Sequence, residues 1–191
     1  MRVFRAILLA GFALAVAACA TLSENTLPQT RRDALRIDAV DVSFAPDAFI
    51  NWPDVFYGFN TSGRPDTPQG RIAFLEQRAG AKIRSNIGAQ IRSAFRGAEP
   101  ARLRVVIRRL EVPSTIQRVL IGGGNVIAAD VTLTDGKTGQ VLLSAEFTGT
   151  AYAAQGLSAV VADQIMEEAI KRVSTNFGEA LAKWLKTGSA L

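Results

Sequence analysis

Cys19 is the only cysteine among the 191 residues of the chain, and Val16, Ala17 and Ala18 stand directly before it. Its thiol is a nucleophile that can carry a covalently attached group. A single cysteine excludes an internal disulfide and any zinc site built from several cysteines. The chain also lacks histidine, which excludes His-based triads, HExxH metal sites and imidazole acid–base chemistry. Most familiar enzyme classes are therefore excluded, and we predict no metal site.

The first eighteen residues have the layout of an export signal. Arg2 and Arg5 form a short basic region, and residues 6–18 are all apolar except Gly11. A helix rises about 1.5 Å per residue and needs roughly 20 residues to cross the hydrocarbon of a bilayer. This apolar run is too short for a stable span, so we predict that residues 1–18 are a signal peptide that is removed.

Val16, Ala17, Ala18 and Cys19 together resemble the lipobox of bacterial lipoproteins. The resemblance implies that Cys19 becomes the mature N-terminus and carries a thioether-linked diacylglycerol and further acyl chains, with no other cofactor. Ala20, where an aspartate would favour retention in the inner membrane, implies transfer to the outer membrane, with the protein facing the periplasm. Ordinary secretory cleavage after Ala17 or after Ala20 is the alternative, because both positions fit the small-x-small rule.

Residues 19–33 are predicted to be a lipidated cysteine and a flexible tether, because this polar stretch contains Pro28 and shows no strand or helix period. Removal of Arg2 and Arg5 leaves 20 basic and 17 acidic side chains, a formal charge of +3. An exported, tethered chain does not meet the genome, so we expect no nucleic-acid partner. We expect the mild positive charge to attract anionic lipid.

Residues 34–187 are predicted to form a single domain with an α+β fold in the order β-α-β-β-β-α. The expected architecture is a two-layer sandwich, with two helices on one face of a mainly antiparallel four-stranded sheet. Alternation and turn residues predict the four strands, and apolar residues three or four apart predict the two helices. The predicted elements are a bulged strand over 35–44, a helix between Thr67 and Gly97, a strand over 102–108, a hairpin over 126–150 and a helix over 158–186.

This arrangement behind a lipidated cysteine is similar to small periplasm-facing lipoproteins that assist envelope machines. Examples are the lipoprotein partner of the lipopolysaccharide translocon and the auxiliary lipoproteins of lipid-transport systems. The resemblance implies a non-catalytic scaffold or accessory subunit, held at the membrane by its lipid and bound to another envelope protein. A lipid- or lipopolysaccharide-binding transport accessory is the alternative. A carboxylate-based envelope hydrolase is a third hypothesis, although no acidic pair in the sequence is placed convincingly for it.

Aromatic side chains are concentrated between residues 44 and 59, in a segment that also contains proline and glycine. One interpretation is that they fold back over an edge of the sheet. The other is that some stay exposed and bind a partner protein or lipid, because aromatic anchors dominate interface energetics. The candidate partner-binding residues are Phe49, Trp52, Phe56, Tyr57 and Phe59.

Arg102, Arg104 and Arg108 recur on one side of the predicted second strand. Their guanidinium groups could bind the phosphates of anionic lipid through forked hydrogen bonds. The alternative is that the row is a solvated face of the sheet. These three arginines are the candidate anion-binding residues.

Overall fold

The computed structural model describes residues 25–56, 58–114, 117, 124–152 and 162–189. The predicted signal peptide, Val16, Ala17, Ala18, Cys19 and Tyr57 lie outside these ranges. The predictions about them stay predictions.

The described residues form four strands and four α-helices. In chain order they are α1 (Gln29–Ala34), β1 (Leu35–Asn51), α2 (Pro68–Leu75), a π-helical turn (Glu76–Gly80), α3 (Ala81–Ala94), β2 (Glu99–Glu111), β3 (Gly124–Asp135), β4 (Val141–Tyr152) and α4 (Ala162–Thr187). The sheet has the order β1-β2-β3-β4, with β1 parallel to β2 and the other neighbours antiparallel. The predicted α+β fold with a mainly antiparallel four-stranded sheet is confirmed.

The helix predicted between Thr67 and Gly97 is confirmed, with a π-helical turn between its two α-helical parts. The Thr67 hydroxyl accepts a hydrogen bond from the Gly70 N–H at 3.1 Å, which is an N-cap contact. At the other end, a Cβ on Gly97 would lie 2.1 Å from the carbonyl oxygen of Ala34. Only glycine lets the chain pass so close to the start of β1 after the helix ends.

The strand predicted over residues 35–44 is longer than expected and continues to Asn51. Its pairing with β2 shifts register between Ile37 and Ala39 and again between Phe44 and Phe49. The first shift confirms the predicted bulge. The second interrupts the alternation of buried and exposed residues, and it explains why the sequence pattern ended the strand at Phe44.

The predicted hairpin is also confirmed, as β3 and β4. The Asp135 carboxylate accepts hydrogen bonds from the N–H groups of Lys137 at 2.8 Å and Thr138 at 2.9 Å, which hold the turn. These bonds keep the pKa of Asp135 below its usual value, because they favour the charged carboxylate.

The core lies between the sheet and the helices. α2 and α3 pack on β1, α4 packs on β4, and α3 and α4 pack on each other. Asn86 donates a hydrogen bond to the buried Ser174 hydroxyl at 2.9 Å across the two helices. A Cβ on Gly178 would lie 3.1 Å from the Ile87 Cα, so the helices approach closely at this glycine. The inner face of the two central strands contributes Ala101, Leu103, Val105, Ile107, Leu110, Ile127, Ala129, Val131 and Leu133.

The tether was predicted to extend through residue 33, and in the structure residues of the stretch 25–33 contact the folded domain. The buried Asn25 amide donates hydrogen bonds to the carbonyl oxygens of Trp184 at 3.2 Å and Leu185 at 3.0 Å. Leu27 is 9% exposed and belongs to the core. The last carbonyl groups of a helix lack partners within it. The Asn25 side chain supplies a donor to the Leu185 carbonyl and a second donor to the Trp184 carbonyl, which also accepts from the Gly188 N–H.

The two ends of the sheet differ in the segments of the chain that meet there. The loop pole is the end formed by Asn51, Glu111, Gly124 and Tyr152, where strands lead into the long connections 52–67, 112–123 and 153–161. The tether pole is the opposite end, formed by Leu35, Glu99, Asp135 and Val141. α1, Asn25 and the last turn of α4 also lie at the tether pole. The segment that leads back to Cys19 therefore joins the domain there.

Asn25→Ala should lower the free energy of unfolding by about 1–2 kcal/mol, because the buried Leu185 carbonyl loses its donor and the Trp184 carbonyl loses one of two. Chemical denaturation measures the change. Asn60→Ala is the matched control, since Asn60 is exposed. Equal stability of the Asn25 variant and the control would show that residues 25–33 do not belong to the folded domain.

Candidate interaction surfaces

Three phenylalanine rings gather beside α2 and account for much of the aromatic segment. The ring centroids of Phe56, Phe59 and Phe74 lie 5.2–5.8 Å from one another. The guanidinium of Arg71 lies over the Phe56 and Phe59 rings, at 5.4 and 5.8 Å from their centroids. Phe59 is 3% exposed and Trp52 1% exposed. Trp52 and Phe59 therefore close the core, as the first interpretation predicts, and Phe56 packs against it.

Phe49 differs from the other described aromatic candidates, Trp52, Phe56 and Phe59, because 56% of it is exposed. It lies on the edge strand β1 near the loop pole, opposite Arg109 of β2. The Arg109 guanidinium is 5.8 Å from the ring centroid and is bound to the Glu111 carboxylate at 2.7 Å. Among the described residues, Val141 is the other large apolar residue that is strongly exposed, at 55%. It lies at the tether pole on the opposite edge of the sheet.

Arg102, Arg104 and Arg108 lie exposed on the sheet face that carries no helix. Arg108 is bound to the Asp130 carboxylate at 2.5 Å, which raises the pKa of Arg108. Arg104 borders an open groove of about 520 Å³ that also contains Asp130 and Glu146. The row is therefore part of a mixed-charge surface. Anion binding there stays a prediction, and Arg108 would have to leave Asp130 to take part.

A second set of cations, which the sequence pattern did not single out, lies at the tether pole. Arg32, Arg96 and Lys186 line an open groove of about 380 Å³, together with one acidic residue, Asp33. We call this surface the tether-pole groove. Three distant parts of the chain supply its cations, so no local motif could have identified it.

The described residues line a small cavity between α4 and the sheet. Asn125, Ile127, Val173 and Phe177 line a cavity of about 10 Å³ under α4, which is room for a single water molecule. Asn125 is 2% exposed, and both polar atoms of its amide lack a partner. A water molecule in this cavity would satisfy them, whereas an acyl chain does not fit.

The described ranges lack two features, a cluster of metal-ligating side chains and a membrane-spanning helix. Within the described ranges, no three side chains of the His, Cys, Asp or Glu type come together as a metal site. The described helices include none that is long and apolar enough to cross a membrane.

No protein-family model matches the chain, and no curated protein matches it. A solved Xanthomonas campestris protein of the family DUF330 is similar, with a TM-score of 0.45 and 15% identity, over 82% of this chain and 86% of that one. PelC of Paraburkholderia phytofirmans, solved as a dodecamer, has a TM-score of 0.34 and 15% identity over 81% and 92% of the two chains. Lipoprotein GNA1162 of Neisseria meningitidis has a TM-score of 0.23 and 11% identity over 71% and 98%. The neighbours thus include a lipoprotein and a protein of a family of unknown function, and at these TM-scores the likeness carries no further conclusion.

Phe59→Ala should lower the free energy of unfolding by about 3–5 kcal/mol, because it removes a buried ring from the three-phenylalanine cluster. Phe49→Ala should cost less than about 1 kcal/mol, because that ring is mostly exposed. Urea denaturation of both variants measures the difference. Similar losses at the two positions would contradict the assignment of Phe59 to the core and Phe49 to the surface.

Proposed function

We propose that this protein is a non-catalytic lipoprotein of the bacterial envelope, anchored in the outer membrane through lipid on Cys19 and facing the periplasm. There it acts as a scaffold or accessory subunit of an envelope complex. The observation that carries the partner-binding part of the proposal is the exposed pair of Phe49 and Arg109.

The proposed anchor needs no helix across the bilayer. Each buried methylene contributes about 0.8 kcal/mol, and one myristoyl-sized chain binds only reversibly. Two or three acyl chains on Cys19 would hold the protein at the bilayer permanently. Five residues lie between Cys19 and Asn25, and the six steps along the chain from one to the other reach at most about 20 Å. The tether pole would therefore stay close to the lipid.

The pair of Phe49 and Arg109 fits the chemistry of a protein interface. Aromatic and arginine side chains are the types most often found where truncation weakens protein–protein binding. Arg109 is already held by Glu111 and by the Phe49 ring, so little side-chain freedom is lost on binding. β2 has 13 residues and is about 40 Å long. With the tether pole at the bilayer, this pair would face away from the lipid, toward a partner in the periplasm.

The alternative of a lipid or lipopolysaccharide carrier would require room for acyl chains. The cavity under α4 has a volume of about 10 Å³, which is room for a single water molecule and not for an acyl chain. The described interior therefore favours the accessory-subunit proposal over the carrier.

Cys19→Ser should abolish lipid attachment, because a hydroxyl cannot replace the thiol in the thioether. Metabolic labelling with a radioactive fatty acid should then give no labelled band, while the parent protein is labelled. Ser23→Ala is the matched control, since it changes a nearby hydroxyl and keeps Cys19. Unchanged lipid labelling of the Cys19 variant would defeat the proposed anchor.

Phe49→Ser should reduce the recovery of one defined envelope protein at least about tenfold in pull-downs from crosslinked envelopes, as expected for loss of an interface anchor. Val141→Ser is the matched control, because Val141 is apolar and exposed to the same extent. Equal recovery with Phe49→Ser and the parent protein would count against the loop-pole interface. An equal loss with both variants would indicate a nonspecific apolar effect and would also count against it.

A further inference from the structure

The tether-pole groove holds three cations and one carboxylate, and none of the three cations forms a salt bridge with a described carboxylate. Six other arginines of the described ranges form salt bridges: Arg31 with Glu99 and Asp135, Arg36 with Asp38, Arg71 with Asp66, Arg84 with Glu76, Arg108 with Asp130 and Arg109 with Glu111. In the groove, Arg32 donates to the neutral Gln29 side chain at 2.7 Å, and its Nε is buried without a partner. Arg96 and Lys186 are exposed, and no described carboxylate forms a salt bridge with either of them. Asp33 accepts a hydrogen bond from Gln29 instead.

The fold holds these cations in place. α3 ends at Ala94 and α4 ends at Thr187, so the carboxyl ends of two helices lie at this pole and their partial negative charge favours cations. Arg32 packs against Gly188. A Cβ added to Gly188 would lie 2.2 Å from the Nη1 atom of Arg32. Gly188 has a φ of +80° and ends α4 by donating to the Trp184 carbonyl at 2.9 Å. The absence of a side chain at Gly188 therefore leaves room for the Arg32 guanidinium.

The position of the groove relative to the chain terminus indicates what it faces. Asn25 is bound to the last turn of α4, the element that also supplies Lys186. The segment from Cys19 reaches the domain at this point. If Cys19 is embedded in a bilayer, the groove lies within about 20 Å of the headgroups, and the short connection keeps it there at a high effective concentration.

We propose that the tether-pole groove binds the phosphate groups of anionic phospholipids in the bilayer that holds the lipid anchor. The proposal rests on the proposed lipid anchor and adds a second, electrostatic contact. Arginine matches phosphate oxygens with a forked pair of N–H donors, and lysine adds a point charge. Juxtamembrane cations of this kind are attracted to anionic leaflets. This contact would hold the domain upright, with Phe49 directed away from the membrane.

The chain offers a direct test, because Cys19 is its only cysteine. Ser93 lines the groove. When Cys19 is acylated, Ser93→Cys would provide the only thiol free for a fluorescent label. Asn60→Cys places the same label on the exposed 3₁₀ turn Phe59–Thr61. The full lipidated protein is placed in vesicles that carry a headgroup quencher, made of phosphatidylcholine alone or with one third phosphatidylglycerol.

We expect phosphatidylglycerol to increase quenching at position 93 and high salt to reverse the increase, because salt screens the attraction. Position 60 should show no increase. Each cation removed should lower the ratio of docked to undocked protein about fivefold. The triple variant Arg32→Gln, Arg96→Gln, Lys186→Gln should therefore lower it on the order of a hundredfold.

The matched control is the triple variant Arg64→Gln, Lys82→Gln, Lys171→Gln, which removes the same formal charge away from the tether pole and should keep the lipid response. Arg32→Lys with Arg96→Lys conserves the charge and should retain most of it. If the neutral triple variant fails to fold, the effects of phosphatidylglycerol and of salt on quenching in the labelled Ser93→Cys protein still test the proposal. Equal quenching at position 93 in the two vesicle types, or an equal loss in both triple variants, would overturn the groove proposal. Labelling of Cys19 itself in the parent protein would instead defeat the lipid anchor, so the two failures are distinguishable.

Discussion

The parallel pairing of β1 with β2 is the constraint on which the rest of this structure depends. Parallel neighbours cannot be joined by a tight turn, so the chain must cross back over one face of the sheet. α2 and α3 make that crossing and bury Ile83, Ile87 and Ile91 against the strands. α4 follows the antiparallel pair β3–β4 and covers the remaining inner surface. One face is then filled by helices, and the other is left to polar side chains.

The same constraint separates the two ends of the molecule. The N-terminal segment, the ends of α3 and α4 and the unpaired cations meet at the tether pole. The long connections and the pair of Phe49 and Arg109 lie at or near the loop pole. A protein that is anchored in a membrane through its N-terminus, as we propose, can use one end for attachment and the other for binding a partner protein. The described chain distributes apolar, aromatic and cationic side chains in a way that suits this division.

Local signals in the sequence were sufficient for most of the fold. The Asp135 turn and the Thr67 cap each act within a few residues, and the structure confirms both. The apolar stripe of the last helix is also confirmed for Val173 and Phe177. Contacts between distant residues were not predictable in this way. Asn25 is one polar residue in a stretch without a period. Its importance depends on the carbonyl groups of Trp184 and Leu185, which are far from it in the sequence. For the same reason, only the structure shows that Trp52 is buried and that Phe49 is exposed. It also shows that Arg32 and Arg96 line the same groove.

The central claim is that the chain is attached to lipid at its start, next to the pole where the folded domain begins. Intact mass spectrometry of protein extracted from bacterial membranes tests this most directly. The account predicts a mature chain that begins at Cys19 and is heavier than the polypeptide by a diacylglycerol and its acyl chains. A polypeptide of unmodified mass, or one that begins at another residue, would contradict it.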